Sequence, residues 1–189
     1  MSCPLHLQSM NILTLLLAAA LYHAEPTNGT VNFTIMKWGV MKEEGTFREF
    51  RAEILFDREN AAKSRVAFDV NVASIDTKND TRDETLRSAD FFDARKHPKM
   101  TFRSTRVVSR AKDAVDVTGD LTIRGVTRRI TVPVKLIGVS ADGKRAGFET
   151  EFRIDRRAFG VNGTRWSEYA PGVLGDEVTI RIVAGGVTR

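Results

Sequence analysis

A chain of 189 residues, 42% hydrophobic and 28% charged, is long enough for one domain with a real core, and its composition is that of neither a collagen, a coiled coil nor a disordered polymer. Its single cysteine, Cys3, leaves no disulfide, thiolate metal site or cysteine nucleophile to anything downstream. The net charge of +5 comes from basic residues scattered singly, as at Arg48, Arg51, Arg103 and Arg106, and without a dense basic run it argues against a nucleic-acid partner.

The first element is expected to be a leader. Ile12 to Leu21 is a short apolar run, followed by Tyr22-His23-Ala24 and the polar Glu25-Pro26-Thr27-Asn28-Gly29. It reads as a secretory signal over residues 1–24, cut near Ala20 or Ala24, and Cys3 lies on the wrong side of the run to serve as a lipid anchor. The run is too short for a membrane span, which takes about 20 apolar residues. The competing reading is a buried N-terminal strand or helix. On the first reading, residues 25–189 form the folded domain of an exported protein.

After Gly29 an alternation of period two dominates. Val31, Phe33 and Ile35 share one face until Trp38-Gly39-Val40-Met41 breaks the strand. Phe50, Ala52, Ile54 and Phe56 follow, then Val66, Phe68, Val70 and Val72, then Met100 and Phe102. Val115, Val117, Leu121 and Ile123 lead to a turn at Arg124-Gly125. Ile130, Val132, Val134 and Leu136 lead to a hairpin at Asp142-Gly143, where glycine suits a positive φ. Ala146, Phe148, Phe152 and Ile154, then Val178, Ile180 and Ile182, complete eight predicted strands. Pro133 predicts an edge, a bulge or a strand end. Each strand has one apolar face, and few helices are available to cover it. An all-β, eight-stranded antiparallel barrel with one short helix is therefore the expected fold, with a two-sheet sandwich as the alternative.

The helix is predicted at Thr81-Arg82-Asp83-Glu84, which has the capping-box form with Thr81 as N-cap. Leu86, Ala89, Phe91 and Phe92 follow, a plausible cap over one barrel mouth. The connection from Arg157 to Asp176 carries Trp166 and Tyr169 and suggests a second lid.

Catalytic chemistry is sparse. His97, in Lys96-His97-Pro98, is the only histidine clear of the expected cut, and it reads as a turn residue rather than as a zinc ligand or a triad base. The pairs Glu43 with Glu44 and Asp90 with Asp93 read as solvated loop charge, and no glycine-rich phosphate loop is present. The expectation is no catalytic residue, no metal and no catalytic cofactor. The chain is instead rich in inward aromatic mass: Phe33, Phe50, Phe56, Phe68, Phe102, Phe148 and Phe152. About eight strands enclose a space either filled by side chains or able to hold one ligand, and composition does not choose between them.

Several ordered blocks resemble the YceI-like polyisoprenoid-binding family. They are Ser74-Ile75-Asp76-Thr77, Ser88-Ala89-Asp90-Phe91-Phe92-Asp93 with His97-Pro98-Lys99-Met100-Thr101-Phe102, Gly119-Asp120-Leu121-Thr122-Ile123-Arg124-Gly125-Val126-Thr127, and Arg156-Arg157-Ala158-Phe159-Gly160-Val161. Asn28-Gly29-Thr30 and Met36-Lys37-Trp38-Gly39 depart from the family's usual residues. The resemblance implies a lipocalin-like, extended barrel, periplasmic or secreted, with a tunnel for a long isoprenoid chain such as a polyprenyl or quinone tail. Phe33, Ile35, Phe50, Ile54, Phe68, Val70, Phe102, Leu121, Phe148 and Phe152 would line that tunnel, with Phe91, Phe92 and Trp166 at its openings. An apolar lipid is then the expected partner, with transient membrane contact, and the protein would be a monomer or homodimer. Two other readings stand beside this one: a packed, ligand-free barrel serving in stress or interaction, and an enzyme acting on a bound lipid.

Overall fold

The computed structural model describes residues 19–163 and 172–188. Among these, eleven strands form one antiparallel sheet: β1 (Ala19–Ala24), β2 (Gly29–Lys37), β3 (Met41–Phe47), β4 (Phe50–Asp57), β5 (Arg65–Asn71), β6 (Ile75–Asp76), β7 (Lys99–Ala111), β8 (Ala114–Ile123), β9 (Val126–Val139), β10 (Arg145–Asp155) and β11 (Leu174–Val187). Six of them are halves of bent strands. β1 runs into β2 across the short turn Pro26–Asn28, β3 into β4 across residues 48–49, and β5 into β6 across Val72–Ser74. Each half pairs with the corresponding half of its neighbour: β1 with β4, β2 with β3, β4 with β5, and β3 with β6. The eleven segments therefore make eight staves, each beside its successor. The last, β11, pairs back onto β2, and its Val187 lies opposite His23 of β1, which closes the barrel. The sequence alternation left a sandwich open, and this closure rules it out.

Alternation is visible directly in burial. Val117, Gly119, Leu121 and Ile123 of β8 are buried while the residues between them are half-exposed. Phe50, Ala52 and Ile54 of β4 are buried between exposed Arg51 and Glu53. Pro133 sits where a missing N–H does least harm. It lies opposite Asp116 of β8, but on its other side the ladder to β10 ends one residue away, at Val134 opposite Thr150.

The N-terminal segment shows what sequence alone left open. β1 occupies the last six residues of the expected leader, pairing from Ala19 opposite Asp57 to Ala24 opposite Ala52. Tyr22 and Ala24 are buried, and the Tyr22 hydroxyl donates to the Gly143 carbonyl at 3.0 Å. A cut after Ala24 would remove half of the first stave, whereas one upstream of Ala19 would leave it whole.

The helix α1 (Asp80–Arg87) starts earlier than predicted. Asn79, not Thr81, is the N-cap: its Oδ1 accepts from the Arg82 N–H at 2.9 Å. Asparagine caps as well as threonine, and Lys78 turns the chain into the cap with φ of 59°. Thr81 lies within the first turn, where its carbonyl accepts from the Thr85 hydroxyl. The β2–β3 hairpin, α1, the Arg124-Gly125 turn and the β10–β11 connection gather at one end of the barrel. The β4–β5, β7–β8 and β9–β10 connections lie at the other.

Candidate ligand-binding cavity

The barrel is not filled. A cavity of about 570 Å³ runs through its interior, walled by Val31, Phe33, Ile35, Val70, Leu121 and Ile180 among others. Two inward glycines help to keep it open. A Cβ at Gly119 would lie 2.5 Å from Phe102 Cζ, and one at Gly45 would lie 2.3 Å from Phe33 Cζ. Each ring lies flat in the space that a side chain would have taken, so it coats the wall instead of crossing the lumen.

Of the tunnel residues expected from sequence, Phe33, Ile35, Ile54, Phe68, Val70, Phe102, Leu121, Phe148 and Phe152 line this cavity, as do Phe91 and Phe92 at its capped end. Phe50 does not. It is buried in the wall behind Phe68, the two rings stacked at 5.4 Å and 10°, because Phe68 takes the position nearer the lumen. Trp166 lies outside the described residues. Beyond the expected set, the cavity takes in Leu86 of α1 and Phe159 and Val161 of the β10–β11 connection. The Arg156-Arg157-Ala158-Phe159-Gly160-Val161 block was the available signal for these last two.

The two ends differ. At the floor, Tyr22, Phe56 and Phe148 meet edge to face, with centroids 6.0 Å apart for Tyr22 and Phe148 and 5.6 Å for Phe56 and Phe148. Ala24, Ala52, Ala146 and Ala184 pack around them. Burial pushes the Tyr22 phenol above its ordinary pKa; Arg58 opposes the shift and Asp142 adds to it.

At the mouth, polar groups take over. Arg82 of α1 donates from Nε to Thr77 Oγ1 and from Nη2 to the Thr77 carbonyl, both at 2.7 Å, and from Nη1 to Glu43 Oε2 at 2.5 Å. Lys37 Nζ lies 3.6 Å from the other Glu43 oxygen. Behind them the buried Asp83 accepts from the Thr77 N–H at 2.9 Å and from its hydroxyl at 2.6 Å. Glu43 is thus part of a structured rim and not the solvated loop charge its sequence context suggested. Its partner is 39 residues away in the chain, so no local pattern could have revealed the pair.

Arg156 also borders the cavity, and it ties down the connection that follows β10. It is buried, with Nε donating to the Gly175 carbonyl at 2.8 Å and Nη1 to the carbonyls of Val161 and Asn162 at 2.7 and 2.9 Å. Burial lowers its pKa, and the adjacent Asp176 opposes that shift. His97 is not among the lining residues. Its N–H donates to the Asp93 carbonyl at 2.8 Å, and its ring lies against Gly125. Among the described residues no group of three or more His, Cys, Asp and Glu side chains could hold a metal ion.

Comparison with known proteins accords with this architecture. Protein YceI of Escherichia coli O6:H1 is 43% identical over 140 residues, which is 72% of this chain and 73% of that protein. Protein YceI of Salmonella arizonae is 40% identical over the same span. Burkholderia cenocepacia BcnA superposes with a TM-score of 0.79 at 28% identity, covering 86% of this chain and 98% of that one. A polyisoprenoid binding domain from Saccharophagus degradans shares the fold at 17% identity, with a TM-score of 0.72 over 90% of this chain and 99% of that one. The YceI-like domain model matches residues 22–185, and with that span of sequence, the closed barrel and its cavity in agreement, the chain belongs to the YceI-like domain family.

Proposed function

We propose that the barrel binds one long-chain isoprenoid lipid, a polyprenyl or quinone tail, and acts as its carrier or store in the exported compartment. The observation that carries this reading is the cavity: a lumen of about 570 Å³ walled mainly by aliphatic and aromatic side chains, with Lys37, Glu43, Glu44 and Arg82 at one mouth. Water in such a space would lack hydrogen-bond partners, so an apolar chain is its natural occupant. The Saccharophagus degradans domain, described as polyisoprenoid binding, supports the ligand class. At the mouth, Lys37 and Arg82 face Glu43 and Glu44, so the rim is close to electroneutral and suits a head group held by hydrogen bonds.

The role is binding without catalysis and without a catalytic cofactor. Burying methylenes from water contributes about 0.8 kcal/mol each, which for a long prenyl chain would exceed the ceiling on non-covalent affinity. The relevant reference is membrane lipid, equally apolar, so the net gain is small and exchange with membranes is the natural mode.

Organic extraction of protein purified from its own host, followed by mass spectrometry, is expected to return a long isoprenoid near one per barrel. Val70 is buried and lines the lumen, so Val70→Trp should cut that occupancy severalfold while the barrel stays folded. An empty extract, with no uptake of added prenyl quinone, would favour the packed-barrel alternative.

Export carries its own test. Because β1 is half of the first stave of the barrel, the leader is expected to end upstream of Ala19, retaining Tyr22 and Ala24 in the mature protein. Intact mass of the periplasmic or secreted form checks this. A mature chain beginning at Glu25 would mean that the barrel closes without β1.

A further inference from the structure

We propose that the β2–β3 hairpin tip is a membrane-docking element that seats the cavity mouth on a phospholipid bilayer. The inference rests on the lipid-carrier reading above and says where the exchange takes place.

Three large apolar residues stand exposed within four positions: Trp38 at 55%, Val40 at 80% and Met41 at 49%. Among the described residues the other exposed large hydrophobics, Leu21, Val108, Ile137 and Val187, are separated along the barrel staves. The tip also departs from what its own geometry asks for. Trp38 and Gly39 both have positive φ, 53° and 71°, in the three-residue connection between Lys37 and Met41, and a positive φ favours Gly, Asn or Asp over a bulky ring. A bulky ring there strains the backbone and leaves the side chain outside the fold, a conformation found where a side chain has work to do at the surface.

Position supplies the occupant. Lys37 and Glu43, at the base of the hairpin, line the cavity mouth, so whatever covers the tip faces the opening. The tip is continuous with the doorway through which an apolar chain must pass. Tryptophan favours the headgroup level of a bilayer, with its ring in the apolar boundary and its N–H toward water. Lys37 Nζ lies 4.3 Å from the Trp38 ring centroid and Lys42 is exposed, which places ammonium groups at the depth of lipid phosphates. Since Lys37 is already paired with Glu43, apolar insertion dominates and docking should depend little on salt.

The test uses the exported protein, phosphatidylcholine vesicles, and Trp38→Asn with Val40→Asp. Asparagine is the residue this turn prefers, so the first substitution relieves backbone strain and the fold is retained. Wild type is expected to float with the vesicles at both low and high salt. The double variant should lose that binding at least tenfold and deliver a prenyl quinone between vesicle populations at least tenfold more slowly, with a melting temperature no lower than wild type and an unchanged quinone content at equilibrium. Equal flotation and equal transfer by the variant would overturn the proposal. So would a concentration-dependent dimer that the variant dissolves without any change in vesicle binding, since the tip would then meet a second copy of the chain. If the vesicles bind through the tip but neither protein takes up quinone, docking stands and the carrier reading fails.

Discussion

Phe68→Asp should lower the stability of the barrel by about 3–5 kcal/mol and expel whatever occupies it, read as a lower urea midpoint and loss of extractable lipid. Phe68 lines the cavity, stacks on Phe50 and lies opposite Phe102 on the neighbouring stave, so a carboxylate there has no donor within the apolar wall. The adjacent residue points the other way. Asp69 Oδ1 lies 2.5 Å from Arg103 Nη2 on the outer face, half-exposed, where an ion pair contributes little. Asp69→Asn should therefore change stability by no more than about 0.5 kcal/mol. Equal tolerance at both positions would place the strand in the wrong register, because a slip of one residue exchanges the faces of every side chain on it.

Arg156→Met should cost about 3–5 kcal/mol of barrel stability. Its guanidinium serves four carbonyls, those of Val161, Asn162, Leu174 and Gly175, and contacts Asp176 at 3.3 Å. Asp176 is nearly half exposed and keeps Arg157 as a partner at 2.7 Å, so the ion pair itself accounts for little of the loss. The cost lies in buried carbonyls left without donors. Arg156→Lys should recover only part of it, since an ammonium cannot reproduce the fork that spans both ends of the connection. Urea unfolding gives the magnitude, and hydrogen exchange should show early opening of Arg157–Phe159 and the start of β11. Uniform protection across the barrel would mean that Arg156 is not what holds the connection.

The staves were legible because a barrel wall imposes period two on every residue that crosses it. Val31 to Ile35, Phe50 to Phe56 and Ala146 to Ile154 could be read for that reason; of the ten inward residues expected to line the tunnel, nine line the cavity, while Phe50 points inward but is buried in the wall behind Phe68. Whether the inside was full or hollow could not be read the same way. That depends on ring orientation at Phe33 and Phe102, which follows from the absence of a side chain at Gly45 and Gly119 on neighbouring staves. The mouth was hidden for a related reason: Glu43, Thr77 and Arg82 meet only after two bent strands and a helix have been placed. β1 was obscured by chemistry. An apolar run ending in small residues satisfies both a leader's requirements and those of a stave packed on Ala52 and Ala184.

The two ends of the lumen differ in kind, aromatic rings and alanines at the floor and charged side chains at the rim. With Tyr22, Phe56 and Phe148 packed edge to face at one end, the lipid proposed above would enter and leave by the rim. Each isoprene unit withdrawn exposes apolar wall that only water can then cover, so the dwell time in solution should lengthen steeply with tail length while the rate of capture changes little. Against a bilayer that penalty disappears, because lipid meets the tail as it emerges. On the carrier function proposed above, unloading would then be conditional on place: slow in open water, fast where a membrane meets the mouth.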